Sequence, residues 1–239
     1  MTSTYSAATP RTKPVTTEFA VAMECNKCVD SVRKELSKNP NVRSIDISLP
    51  DQRLVVTATT PPSHLYSTLK NLGRTVVFRG LGTGRPSNAA VCIFEHFPGV
   101  ARGWAQHNNR GVARLVQLDH DTCMIDVSVH GLVPGTHAVR IRECGDITAG
   151  CHSTGSVYAE MGDINVDATG RGELVAEVNL HLHDVIGRAM TVECRGSGTV
   201  HRDAICGVLA RSAGLFENVK RVCTCSGMTL WQESKNASL

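Results

Sequence analysis

The stretch Glu18-Phe-Ala-Val-Ala-Met23-Glu-Cys25-Asn-Lys-Cys28-Val-Asp-Ser-Val32-Arg-Lys-Glu-Leu36 changes its hydrophobic period at the middle. Glu18 to Met23 reads as a short strand. From there Cys28, Val29, Val32 and Leu36 recur at helical spacing, and Asn39-Pro40 stops the helix. Downstream, Ile45, Ile47 and Leu49 alternate with Asp46 and Ser48 as in a half-buried strand, and Pro50-Asp51 makes a turn. Leu54, Val56 and Ala58 alternate again, Leu65, Leu69 and Leu72 return to helical spacing, and Thr75 to Phe78 closes with a strand. The order βαββαβ predicts a ferredoxin-like α+β domain over residues 17–80.

Gly80, Gly82, Gly84, Pro86 and Ser87 crowd breakers into a few residues, so 81–88 is expected to be a linker. Beyond it, apolar runs recur between Gly-rich turns: Val91–Phe94, Ala113–Leu118, Cys123–Val129, His137–Ile141, Gly172–Asn179, Met190–Glu193 and Cys206–Ala210. Runs of this length without helical period predict an all-β antiparallel sandwich or barrel over 89–214. Residues 215–239 are short and polar and cannot bury a core. Residues 1–16 are rich in Ser, Thr and Pro and carry only Arg11 and Lys13 as charges, so they read as a disordered tail without a secretory apolar core.

Composition excludes several classes. The 25 Lys plus Arg nearly balance 22 Asp plus Glu, which leaves no nucleic-acid footprint and no polybasic membrane patch. No apolar run approaches the roughly 20 residues of a membrane span. Ten cysteines in 239 residues are too few for a disulfide-dense scaffold. The chain reads as cytoplasmic, where most thiols stay reduced.

Met23-Glu-Cys25-Asn-Lys-Cys28 places two thiols across a strand-to-helix junction. A helix N-terminus favours thiolate over thiol, and soft thiolates select Cu(I). Two sulfurs suffice for low-coordinate Cu(I) and leave the ion open to a partner's sulfur. A structural zinc site, a redox pair and an inert buried pair are the competing readings; structural zinc needs four ligands, and no second Cys-x-x-Cys exists. On this βαββαβ frame the motif resembles the heavy-metal-associated domains of small copper chaperones. That resemblance implies that Met23 tucks under the loop as an apolar anchor. Arg74 is either a cation near the thiolates or a solvated loop charge.

Gly131-Leu-Val-Pro-Gly-Thr-His-Ala-Val-Arg-Ile-Arg-Glu-Cys-Gly-Asp-Ile-Thr-Ala-Gly-Cys151 is similar to the central stretch of copper/zinc superoxide dismutases, and Gly162-Asp163, Asp184-Val-Ile-Gly-Arg188 and Ala204-Ile-Cys206-Gly continue the similarity. It implies a Greek-key barrel. The positions of the enzyme's copper-binding imidazoles hold Arg140, Arg142, Val157 and Glu193 here. Asp163 matches one zinc ligand and Glu160 stands near another, but the intervening histidines are gone. No dismutase activity and no resident zinc are therefore expected. His181-x-His183 puts two imidazoles near each other but reads as exposed histidines. Cys151 and Cys206 match the family's intrasubunit disulfide, a loop closure worth about 4 kcal/mol if unstrained. Cys92 and Cys123 read as buried small hydrophobes.

Ala210-Arg-Ser-Ala-Gly-Leu-Phe, followed by Arg221-Val-Cys223-Thr-Cys225-Ser-Gly, resembles the carboxy-terminal segment of the copper chaperones for superoxide dismutase. Cys223 and Cys225, beside Lys220 and Arg221, are expected to bind Cu(I), exchange disulfides, or both. The three segments together imply a metallochaperone, not an enzyme. Its metal ligands would be Cys25, Cys28, Cys223 and Cys225, and its partner copper/zinc superoxide dismutase. Docking, as a heterodimer or in competition with a homodimer, is expected at a face including Gly207, Val208 and Leu209. The rival readings are a disulfide oxidoreductase acting through the tail thiols without copper, and a general copper store.

Overall fold

In the computed structural model, residues 13–83, 88–96, 108–195, 204–217 and 231 are described. They divide into two compact units. One comprises 13–83, 88, 212–217 and 231; the other comprises 89–96, 108–195 and 204–211. No helix among the described residues is long and apolar enough to cross a membrane.

The first unit contains β1 (Val15–Val21), α1 (Asn26–Leu36), β2 (Val42–Ser48), β3 (Arg53–Ala58), α2 (Pro62–Asn71) and β4 (Val76–Gly82). Its antiparallel sheet has the order β2-β3-β1-β4. The helix period of α1 buries Val32 and Leu36, and that of α2 buries Leu65 and Leu69, against Phe19, Val21, Leu54, Val56 and Val76. Pro62 starts α2, where its missing N–H costs no hydrogen bond. Phe19 and Phe78 meet edge-to-face with centroids 5.3 Å apart.

Three boundaries differ from expectation. Val15 and Thr16 are strand, not tail: Val15 pairs with Ala58, and its side chain is buried. β4 continues past Phe78 through Gly82, pairing with Thr16, Thr17 and Glu18. Gly80 and Gly82, which looked like breakers, are packing positions. A Cβ on Gly80 would lie 2.4 Å from the Gly214 carbonyl oxygen, so only glycine lets residues 212–217 lie against this strand. That segment, expected to straddle the end of the barrel and the start of the tail, groups with the first unit. The Phe216 N–H donates to Glu18 at 2.7 Å, and the Arg53 guanidinium sits 5.5 Å from the Phe216 ring centroid. Glu18 is 2% exposed and pairs with Arg79 at 3.9 Å.

Glu18→Ala therefore withdraws one carboxylate from both a buried cation and the anchored segment. We expect a loss of about 3 kcal/mol of stability in the first unit. Hydrogen exchange at 212–217 is expected to accelerate before global unfolding; unchanged protection there would show that Glu18 does not hold the segment.

The second unit contains β5 (Ala89–His96), β6 (Asn108–Gln117), β7 (Thr122–Val129), β8 (Gly135–Arg142), β9 (Val157–Val166), β10 (Gly172–Asn179), the short helix α3 (Leu182–Val185), β11 (Ala189–Cys194), β12 (Ile205–Val208) and β13 (Ala210–Arg211). The strands run β10-β7-β6-β5-β12-β11-β8-β9, with β13 also pairing β5. β9 and β10 lie in contact across the last seam, giving a nearly closed antiparallel barrel with Greek-key crossovers. Phe94, Leu115, Ile125, Ile141 and Ile205 fill it. β9 was absent from the expected runs because its parity breaks. Met161 and Ile164 both point inward, separated by a bulge at the register shift opposite Val139 and Arg140, where Gly162 takes φ +123°.

Candidate copper site and the altered barrel

Cys25 is the N-cap of α1, in extended conformation, and its carbonyl accepts the N–H of Cys28 at 2.9 Å. The first helical turn thus swings Cys28 back beneath Cys25, and the two Sγ atoms lie 3.7 Å apart. Metal–thiolate bonds are about 2.3 Å long, so one ion can reach both sulfurs. Cys25 is exposed and Cys28 half-buried, so an ion held between them would be open to an incoming sulfur.

The Cys28 thiol is lowered to about 7. Backbone hydrogen bonds from Glu24 and then Cys25 contribute most; burial opposes them, and Arg74 and the Cys25 side chain add smaller lowering effects. The backbone just ahead of α1, at Glu24 and the N-cap Cys25, thus supplies most of the activation. Arg74 is placed beside the thiol, not in solvent, and it also donates to the Ala22 carbonyl at 3.5 Å. Met23 is 2% exposed and packs in the core under the loop, with its carbonyl accepting from Gln52 at 3.3 Å.

With the thiol near 7, alkylation of Cys28 rises through neutral pH, well below the range of an ordinary thiol. Arg74→Ala removes one group that favours the thiolate, so the midpoint of the alkylation rate against pH will move up. A profile that does not move would leave Arg74 as a structural contact to Ala22 only.

In the barrel, Arg140 and Arg142 share the outward-leaning side of β8 and close on carboxylates. Arg140 donates to Glu160 at 2.7 Å and to Glu193 at 3.2 Å, and Arg142 lies 3.5 Å from Glu193. Thr191 donates to Glu193 at 2.6 Å. Arg195 extends the network to Asp163 and, at 3.9 Å, to Glu160. Three guanidiniums and three carboxylates neutralise one another there. Val157 is exposed at the start of β9 and offers no donor.

The family model of the heavy-metal-associated domain matches residues 18–75. The human "Copper chaperone for superoxide dismutase" is 34% identical over 91% of this chain and 88% of its own length. The "Superoxide dismutase 1 copper chaperone" of Debaryomyces hansenii is 34% identical over 95% of this chain and 97% of its own. That of Saccharomyces cerevisiae is 30% identical, over 92% and 94%. The chain belongs to the family of copper chaperones for superoxide dismutase. Its relatives are named as chaperones, not as enzymes.

The remaining expected site residues of this family member fall out unevenly. Cys223 and Cys225 lie outside the described residues. Cys151 and Cys206 are free thiols in this structure, not a disulfide, although they adjoin in a small buried cluster with Ala204. The Cys151 thiol is driven up by its hydrogen bond with Cys206 first and by burial second, so reduced Cys151 is held protonated. Cys92 and Cys123 are fully buried; burial pushes Cys123 up to about 12 and Cys92 up as well, so both are inert.

Two of the three expected docking residues do not face outward. Leu209 has no exposed surface and belongs to the barrel core. Gly207 is buried against β5, where a Cβ would meet the Ile93 carbonyl oxygen at 2.0 Å. Val208 is half-buried on the outer side, near Ile93, which is 51% exposed. Ile93 escaped the sequence reading because its run, Val91–Phe94, is continuously apolar and hides which residues face out.

Proposed function

We propose that Cys25 and Cys28 capture Cu(I) and that the chain delivers it to an immature copper/zinc superoxide dismutase. The observation that carries this is the exposed pair of sulfurs 3.7 Å apart, one of them lowered to about 7, at a helix start. A client thiolate enters the open coordination shell, a chaperone thiolate leaves, and the ion moves without changing oxidation state. The names of the relatives support superoxide dismutase as the client. The barrel contributes recognition, since a subunit of like fold can compete for a dimer face. Val208 and Ile93 are the outward apolar residues that support a heterodimer there, with a homodimer as its competitor. The reducing cytosol suits thiols that must stay available.

Cys223 and Cys225 take part after docking. If they enter as a disulfide, exchange through a mixed disulfide leaves two chaperone thiols and one client disulfide, so electrons and protons balance. Cys151 and Cys206 form their own disulfide when the chain is oxidised.

Mixing the Cu(I)-loaded chain with apo-dismutase in the presence of a Cu(I) chelator tests delivery. Dismutase activity will appear in proportion to loaded chain; activity no greater than with the copper–chelator complex alone would refute delivery. The Cys223→Ser, Cys225→Ser variant is expected to bind the client but leave its cysteines reduced. Maturation by that variant at the unmodified rate would remove the tail from the mechanism.

A further inference from the structure

We propose that His120, Asp121 and His181 form a site for one divalent first-row ion of the Zn(II) type on the barrel, separate in chemistry from the Cu(I) pair. Each residue offers a donor atom, and the three donor atoms lie within 4.8 Å of one another. His120 Nδ1 is 2.7 Å from Asp121 Oδ1, and His181 Nε2 is 3.7 Å from the same oxygen. The two imidazole centroids are 5.3 Å apart. One carboxylate oxygen therefore stands between two rings, in the arrangement that an ion would draw tighter.

The donors come from two loops that are bound to each other. His120 and Asp121 belong to the β6–β7 turn, and His181 to the turn between β10 and α3. Leu180 N–H donates to the Asp121 carbonyl at 2.9 Å. The Gln117 side chain bridges both loops, donating to Leu180 O at 2.9 Å and accepting from Leu182 N–H at 2.7 Å. Asp119 fixes the other side by accepting the N–H groups of Asp121 and Thr122. The backbone under the ligands is thus set before an ion arrives, and only two exposed side chains and the half-buried His181 need to rotate. Ligands near 2.0–2.2 Å from zinc require small movements from the present spacing.

Two imidazoles and a carboxylate are harder donors than two thiolates. They suit Zn(II) and its divalent neighbours and disfavour Cu(I), so the two sites sort ions by oxidation state and softness. The missing histidines of the barrel's expected zinc loop do not bear on this cluster, which lies elsewhere. His183 stands beside it, its centroid 5.6 Å from that of His181, and its Nε2 is 3.2 Å from Asp184.

The test uses the full chain carrying Cys25→Ser, Cys28→Ser, Cys223→Ser and Cys225→Ser, so that the thiol pairs do not compete. Zn(II) is titrated while affinity is read by calorimetry and the imidazole nitrogens by NMR. We expect one equivalent of Zn(II) to shift the signals of His120 and His181. Adding His120→Ala and His181→Ala will weaken that binding at least tenfold, and Asp121→Asn, which preserves shape, will also weaken it. Because these side chains are at the surface, the thermal midpoint without zinc will stay put. If one equivalent of zinc leaves both imidazoles unshifted, or if the histidine variant binds zinc as tightly as its parent, the site does not exist.

Discussion

Replacing Cys25 and Cys28 together by Ser will abolish tight Cu(I) capture by the first unit. Measured in a Cys223→Ser, Cys225→Ser background against a Cu(I) chelator, affinity will fall by at least a hundredfold, about 2.7 kcal/mol. The reason is chemical. Serine oxygen is a hard, neutral donor at physiological pH, whereas the pair supplies soft sulfurs 3.7 Å apart. The substitution is also structurally mild, since Cys25 is exposed and the core beneath the loop is closed by Met23, Val32 and Leu36. Folding of the first unit will therefore persist, and its persistence separates loss of ligands from loss of structure. Undiminished competition for Cu(I) would move capture to other residues.

Lysine at positions 208 and 209 will have opposite kinds of effect, although the two residues are neighbours. Leu209 is fully buried in the barrel core, so Leu209→Lys forces an ammonium into an apolar interior. We expect at least about 4 kcal/mol of destabilisation, enough to unfold much of the second unit. Val208 is half-buried on the outer side, so Val208→Lys will leave the thermal midpoint within a few degrees of the parent. If Val208 and Ile93 form the docking face, the Val208→Lys chain will remain folded and associate at least tenfold more weakly with the dismutase subunit in sedimentation. Equal association by the folded variant would place docking on another face. A stable Leu209→Lys chain would contradict its position in the core.

The contrast between these neighbours shows where sequence patterns stop. In the first unit, the helical and strand periods around Cys25 and Cys28 translated directly into α1, α2 and the four strands. Each period is set by residues a few positions apart, and both thiols of the proposed copper site lie within six consecutive residues. That Arg140, Arg142, Val157 and Glu193 stand where a dismutase has imidazoles rests on sequence resemblance; the ion pairs that Arg140 and Arg142 make with Glu160 and Glu193 came only with the fold. In the barrel, β9 escaped because the bulge before Gly162 shifts inward residues from one parity to the other. Gly207, Val208 and Leu209 were grouped as one face although alternation along the chain sends Val208 outward and Leu209 inward.

Local sequence thus sufficed for the element order of the first unit and for the placement of the Cys25 and Cys28 thiols at its first strand-to-helix junction. Folding alone decided that Gly80 admits residues 212–217 against β4, that Glu18 serves both Arg79 and the Phe216 N–H, and that His181 meets His120 and Asp121 more closely than its sequence neighbour pattern implied. These contacts join residues far apart in the chain. Their existence depends on strand register, bulges and loop-to-loop hydrogen bonds, and none of those quantities is encoded in the spacing of residues within a single element.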